Sequence, residues 1–89
     1  LLEDRLALSK GKRQIYGSQI GIDRDTRIAY VLPLENPEEV DQRRAEVGIP
    51  TIAEYVVKWN IVWDVEQYKK DILIWEEKEN KAKREFRNR

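Results

Sequence analysis

The apolar positions change their spacing along the chain, and each spacing predicts an element. Leu2 and Leu6 lie four apart, and Leu1 and Leu8 fall on an adjoining strip that also holds Arg5. That period predicts the last turns of a helix from Leu1 to Lys10, closed by Gly11 in the left-handed position. From Lys12 to Ile22 the spacing changes to two. Alternation then puts Tyr16, Ser18, Ile20 and Ile22 on one face of a strand and Arg13, Ile15, Gly17, Gln19 and Gly21 on the other, neither face cleanly apolar. The two glycines remove side chains from one face and invite a bulge or a close backbone approach. Asp23 to Thr26 has turn composition. Arg27 to Leu32 returns with Ile28, Tyr30 and Leu32 opposed to Ala29 and Val31, which completes a β-hairpin.

Pro33 ends the strand, and helical spacing resumes. Asn36 in the capping position, Pro37 after it and Glu39 three residues on predict a helix start. Gly48 and Pro50 stop this helix. Val40, Arg44 and Val47 share its inner face, which makes Arg44 the polar member of an apolar strip. Arg43, about 100° round, is expected at the solvent or the strip's edge. Thr51 to Glu54 is a second capping box. Ile52, Tyr55, Val56, Trp59, Val62 and Trp63 then form one stripe, and Ile61, Val65, Tyr68, Ile72 and Trp75 a second. No glycine or proline interrupts residues 51–89, so one long helix fits, as do two helices broken near Asn60 or Asp64. The fold class is α+β: short helix, β-hairpin, capped helix and long C-terminal helix. Residues 1–75 read as one small domain or half-domain, and residues 76–89 as a charged, solvated helical tail.

Composition narrows the function classes. A chain of 89 residues makes one domain with a modest core. Seventeen basic residues balance seventeen acidic ones, so no net field recruits nucleic acid or an anionic membrane. The tail carries six basic residues interleaved with four acidic ones, a poor nucleic-acid arm. No apolar run reaches membrane-spanning length and no secretory pattern opens the chain, so a cytoplasmic location is expected. Cysteine and histidine are both absent, which removes the thiolate nucleophile, the commonest general base and the commonest metal ligand. Asp23 and Asp25 have the spacing of an oxygen-ligand loop, but the glycine and glutamate of a calcium loop do not follow them. No metal and no cofactor is expected. The lack of any methionine, with a Leu-Leu-Glu start, points to the C-terminal part of a longer protein.

The stretch Gln14 to Gln19 concentrates hydrogen-bonding side chains around one glycine. Gln14, Tyr16 and Gln19, with Arg5 and Arg44 turned inward, would form a polar wall able to bind a carboxylate or phosphate through paired hydrogen bonds. A glycine beside the tyrosine would let a ligand approach the backbone. Simpler readings stand beside this one. Arg5 would snorkel over leucines, Arg44 would pair with Asp41 one turn back, and the hairpin's polar groups would satisfy one another.

From Leu2 to about Tyr55 the chain resembles an uncharacterised bacterial family, a domain of unknown function. Its pattern is a leucine-rich helix ending in Asp-Arg, a Gly-x-x-Gln-x-Tyr-Gly-Thr-Gln strand, an Asp-Pro turn, a Val-Asp-x-x-Arg helix and a final Glu-Tyr. The matching residues are Asp4-Arg5, Gly11, Gln14, Tyr16-Gly17, Gln19, Pro33, Pro37, Val40-Asp41, Arg43-Arg44, Val47-Gly48, Pro50 and Glu54-Tyr55. Ser18, Asn36 and Ile49 stand where the family has threonine, aspartate and leucine. The family's upstream half is helical and holds a Gln-His-Ala-Asp segment that nothing here matches. The resemblance therefore implies a fold and a site without its acid–base residue.

Two functions compete at this stage. One is half of an enzyme-like or anion-binding pocket, completed by an upstream half. The other is an interaction or oligomerisation module in which Trp59, Trp63 and Trp75 form the surface for the missing half or for a second copy in a homodimer.

Overall fold

The structure, a computed structural model, describes residues 1–87, with side chains described through residue 81. Part of the expected tail therefore lies outside the described residues. Helix α1 runs Leu2–Ser9. Gly11 takes φ +74°, and Gly11 and Lys12 donate to the carbonyls of Leu8 and Ala7, which closes the helix as its sequence predicted. Strands β1 (Ile20–Ile22) and β2 (Ala29–Val31) pair antiparallel with Ile20 opposite Val31 and Ile22 opposite Ala29. The intervening turn is tied by the Asp23 carboxylate, which accepts from Asp25 N and Thr26 Oγ1.

The expected strand over Lys12 to Ile22 is corrected to its last three residues. Gly17 has φ +71°, and the segment before β1 folds into an irregular loop. Gln14 makes one isolated parallel bridge to Leu34. An extended strand turns successive N–H groups to opposite sides, whereas here Ile15 and Tyr16 point theirs at the same acceptor.

A 3₁₀ turn at Pro37–Glu39 leads into α2 (Val40–Glu46). Asn36 does not cap it. The residue sits at φ +40° with no side-chain cap bond, and its carbonyl instead accepts from Glu39 N and Arg43 Nη1. Helix α3 (Ile52–Val56) has the predicted cap, with Thr51 Oγ1 accepting from Glu54 N at 3.3 Å. Asp41 Oδ1 accepts from Ile52 N at 2.8 Å, so Asp41 holds the start of α3 and acts on Arg44 only through its charge, with no direct hydrogen bond. A 3₁₀ turn at Val57–Trp59 ends at Asn60, φ +60°. Asp64 Oδ1 then accepts from Glu66 N and Gln67 N and opens α4 (Val65–Arg87). The apolar stripe that allowed a single helix is thus divided at Asn60 to Asp64.

Val31, Leu34, Val40, Ile52, Val56, Tyr68 and Ile72 form the core. Helix α4 crosses the hairpin. Tyr68 Oη donates to the carbonyls of Val31 and Leu32, and Trp75 stacks on Tyr30 with centroids 4.3 Å apart. Helix α4 continues past residue 75. Glu76 accepts two bonds from Arg13, Glu79 accepts from Tyr30 Oη, and Lys78 donates to Asp23. No helix among the described residues is long and apolar enough to cross a membrane.

At Gly17 the backbone packs directly on the core. A Cβ built there would sit 2.6 Å from Ile52 Cδ1, on a side chain with no exposed surface. Gly17→Ala is therefore expected to lose about 2 kcal/mol or more, combining left-handed strain with displacement of a core isoleucine. Urea denaturation measures it, as a lowered midpoint with an unchanged slope.

Candidate functional site

The site begins with a residue that the sequence pattern did not single out. Asp4 lies half a helical turn from the Leu2–Leu6 strip of α1, and it has no exposed surface. Its carboxylate faces the loop before β1. Oδ1 accepts from Ile15 N at 2.8 Å and Tyr16 N at 2.9 Å, and Oδ2 from Ser18 N at 2.9 Å and Ser18 Oγ at 2.7 Å. Convergent backbone N–H groups of this kind make an anion-binding concavity. Burial raises the carboxyl's pKa, but the bonds from Tyr16, Ser18 and Ile15 outweigh it and leave the pKa below the usual 3.8. The backbone N–H groups of the loop thus bind the chain's own aspartate.

The carbonyls of the same loop go to other side chains. Arg43 Nε donates to Ile15 O at 2.8 Å, Arg44 Nη1 to Tyr16 O at 2.6 Å, and Tyr55 Oη to Ser18 O at 2.7 Å. Gln14, with no exposed surface, spans the loop: Oε1 accepts from Gln19 N, and Nε2 donates to Gln19 O and Leu32 O. Gln14's own backbone bonds Pro33 O and Glu35 N. Every backbone polar group from Gln14 to Gln19, apart from Gly17's, thus has a partner in the protein.

The structure places the expected wall residues as follows. Gln14, Tyr16, Gln19 and Arg44 come together, but as parts of a self-satisfied knot. Arg44 is 2% exposed, gives Nε to Pro50 O at 2.6 Å, and packs its guanidinium 4.8 Å over the Tyr55 ring. Burial holds its pKa below the usual arginine value. Gln19 is half-buried and donates to Ser18 Oγ at 3.1 Å. Arg5 is exposed and lies outside the group, because the helix turns Asp4 inward in its place. The approach beside Gly17 is filled by Ile52. Surface cavities of about 230, 430 and 260 Å³ are lined by none of these five residues. Among the described residues no three acidic side chains gather as metal ligands. Asp23 is instead bound by Lys78, which with Thr26 holds its pKa low.

Trp59, Trp63 and Trp75 each meet a tyrosine of this chain: Tyr55 at 5.1 Å, Tyr68 at 4.8 Å and Tyr30 at 4.3 Å. All three are half-buried.

Fold and site together define a small α+β domain built around a loop whose backbone is held by buried side chains. The chain belongs to a family of unknown function, DUF6624, whose model matches residues 1–67. The match takes in the whole knot and stops inside the first turn of α4. No curated protein and no solved structure matches the chain.

Replacing Asp4 by Asn sets an amide NH₂ against N–H donors and is expected to cost about 3 kcal/mol. The lowered native pKa also fixes a sign. In acid the unfolded state binds the proton first, so Asp4's contribution is full above about pH 4 and fades as pH falls through the lowered native value. Stability measured by urea melts across that acid range should therefore fall less steeply in Asp4→Asn than in the wild type.

Proposed function

We propose that this domain is an interaction module that self-associates through α1. The observation that carries this reading is the inversion of that helix. Its buried residue is Asp4, while Leu2 is 66% and Leu6 48% exposed. Amphipathic helices of isolated domains show the opposite arrangement. An aspartate committed to the loop fixes the helix rotation and leaves the leucine strip facing outward, with Leu1 also exposed beside it.

A second copy suits this face through its charges. Glu3 and Lys10 are exposed and seven residues apart, so they flank the leucines on one side. An antiparallel pairing centred on Leu6 brings each Glu3 near the other copy's Lys10. It also opposes the two helix dipoles favourably. Burying two leucines per copy yields a gross gain of several kcal/mol, at about 1.5–3 kcal/mol for each side chain fully buried. Association itself costs about 4 kcal/mol or more, so the dimer is weak and concentration-dependent.

The pocket reading has less support, since the amides and arginines that would bind a ligand already bind the loop. The tryptophans likewise contribute their rings to internal pairs.

Light scattering from about 20 µM to about 1 mM tests the assignment. The wild type should rise from the 10.6 kDa monomer toward twice that mass. Leu2→Glu/Leu6→Glu should stay monomeric with stability changed by about 0.5 kcal/mol or less, because both sites are exposed. A wild type that remains monomeric throughout, or a double variant that still dimerises, would overturn it.

A further inference from the structure

A groove of about 260 Å³ lies between α4, the irregular segment at residues 60–64 and β2. Its α4 wall is one helical stripe, with Asp64, Gln67, Tyr68, Asp71 and Trp75 set three or four residues apart. Tyr68 gives its hydroxyl to the carbonyls of Val31 and Leu32, which leaves its ring as wall. Ile61 and Trp63 add apolar surface from the segment before the helix. Among the described residues the charge of this lining comes from Asp64 and Asp71 alone, since no lysine or arginine belongs to it. Lys78 lies 5.3 Å from the Trp75 ring but binds Asp23, which does not line the groove.

The two aspartates each commit one oxygen within the chain. Asp64 Oδ1 caps α4, and Asp71 Oδ1 accepts from Gln67 Nε2 at 3.0 Å. Among the described residues nothing donates to either Oδ2 or to Gln67 Oε1. The three acceptors follow one another along the helix, with Asp64 and Asp71 about 10 Å apart along its axis. Two carboxylates this far apart do not make the compact oxygen shell of a metal ion. A ligand with two separated cationic ends can serve both. The positive end of α4 offsets part of the Asp64 charge, but that field fades within the first turn and leaves Asp71 as the stronger anchor.

The geometry points to a linear alkyl polyamine lying along α4, with one terminal ammonium on Asp71 Oδ2 and the other on Asp64 Oδ2. Gln67 Oε1, between them, accepts from an internal amine. The methylenes pack on the aromatic and aliphatic wall, and tryptophan rings attract ammonium groups. An extended chain spans about 1.2 Å per bond, as in a peptide of about 3.6 Å per residue, so ends about 10 Å apart need about eight or nine bonds between them. Asp64 is exposed and Asp71 half-buried, so each ion pair is weak alone and binding depends on both ends together. The groove shares no residue with α1, so this site holds or fails independently of self-association through that helix.

The test titrates spermidine into the ¹⁵N-labelled protein at low salt and follows it by NMR. The Trp63 and Trp75 indole N–H signals and the Gln67 side-chain amide should shift together, with a dissociation constant of about 1 mM or below. The monoamine n-heptylamine, with a similar chain and one charge, should bind at least about tenfold more weakly. Magnesium ions at matched ionic strength should leave the indole signals in place. Asp71→Asn keeps the acceptor for Gln67, and Asp64→Asn keeps a helix cap. Each should weaken spermidine about fivefold. Indole signals that do not move, heptylamine or magnesium that matches spermidine, or undiminished binding to either variant would overturn the proposal.

Discussion

The Asp4 carboxylate is the constraint on which the arrangement of the other elements depends. An irregular loop can be buried only if its backbone groups find partners, because each unmet one costs about 1–3 kcal/mol. Here the partners are side chains from several elements. Asp4 comes from α1, Arg43 and Arg44 from α2, and Tyr55 from α3, all converging on the segment between Gln14 and Gln19. The loop thus ties α1 to α2 and α3, which also meet each other through Asp41 and the core residues Val40 and Ile52. It also sets the rotation of α1, and the outward leucines follow from that rotation.

Helix α4 has a different part. The family's matched region ends at residue 67, so the family's own residues close the loop, while most of α4 lies beyond them. Yet Tyr68 and Ile72 complete the core, and a row of polar links continues along the helix. Arg13 holds Glu76 with two bonds, Tyr30 donates to Glu79, and Lys78 closes on Asp23. Arg13 and Lys78 are partly exposed, so each ion pair is worth little alone. Their combined effect is orientation. They hold α4 against β2, where Trp75 covers Tyr30 and the groove opens beside the strand edge.

Several features were legible because they depend only on neighbours in sequence. The leucine period and Gly11 located α1 and its end, turn composition located Asp23 to Thr26, and Thr51 with Glu54 located the start of α3. Arg44 was recognised as the polar member of a buried strip, and it is buried. Its partners were not recognisable. Asp41 is the nearest acid in sequence, but it serves Ile52 N, while Arg44 reaches carbonyls of residues 16 and 50. Asp4 entered only as half of the matched Asp4-Arg5 pair, because its partners at residues 15 to 18 lie beyond the reach of helical periodicity. A usable signal was present, since Asp4 is the residue directly opposite the Leu2–Leu6 strip.

The sequence by itself determined the order and type of most elements, the end of α1 and the start of α3, and which residues are too polar for a plain core. It also marked Gln14 to Gln19 as unusual, from composition and one glycine. Only the tertiary structure decided what that composition serves. Hydrogen-bonding side chains look alike whether they await a ligand or hold a backbone, and the difference lies in acceptors up to 37 residues away, as for Tyr55 and Ser18. Local periodicity carries no information about such distant partners. In this fold they turn a ligand-like segment into an internal fastening and leave the leucine face of α1 exposed.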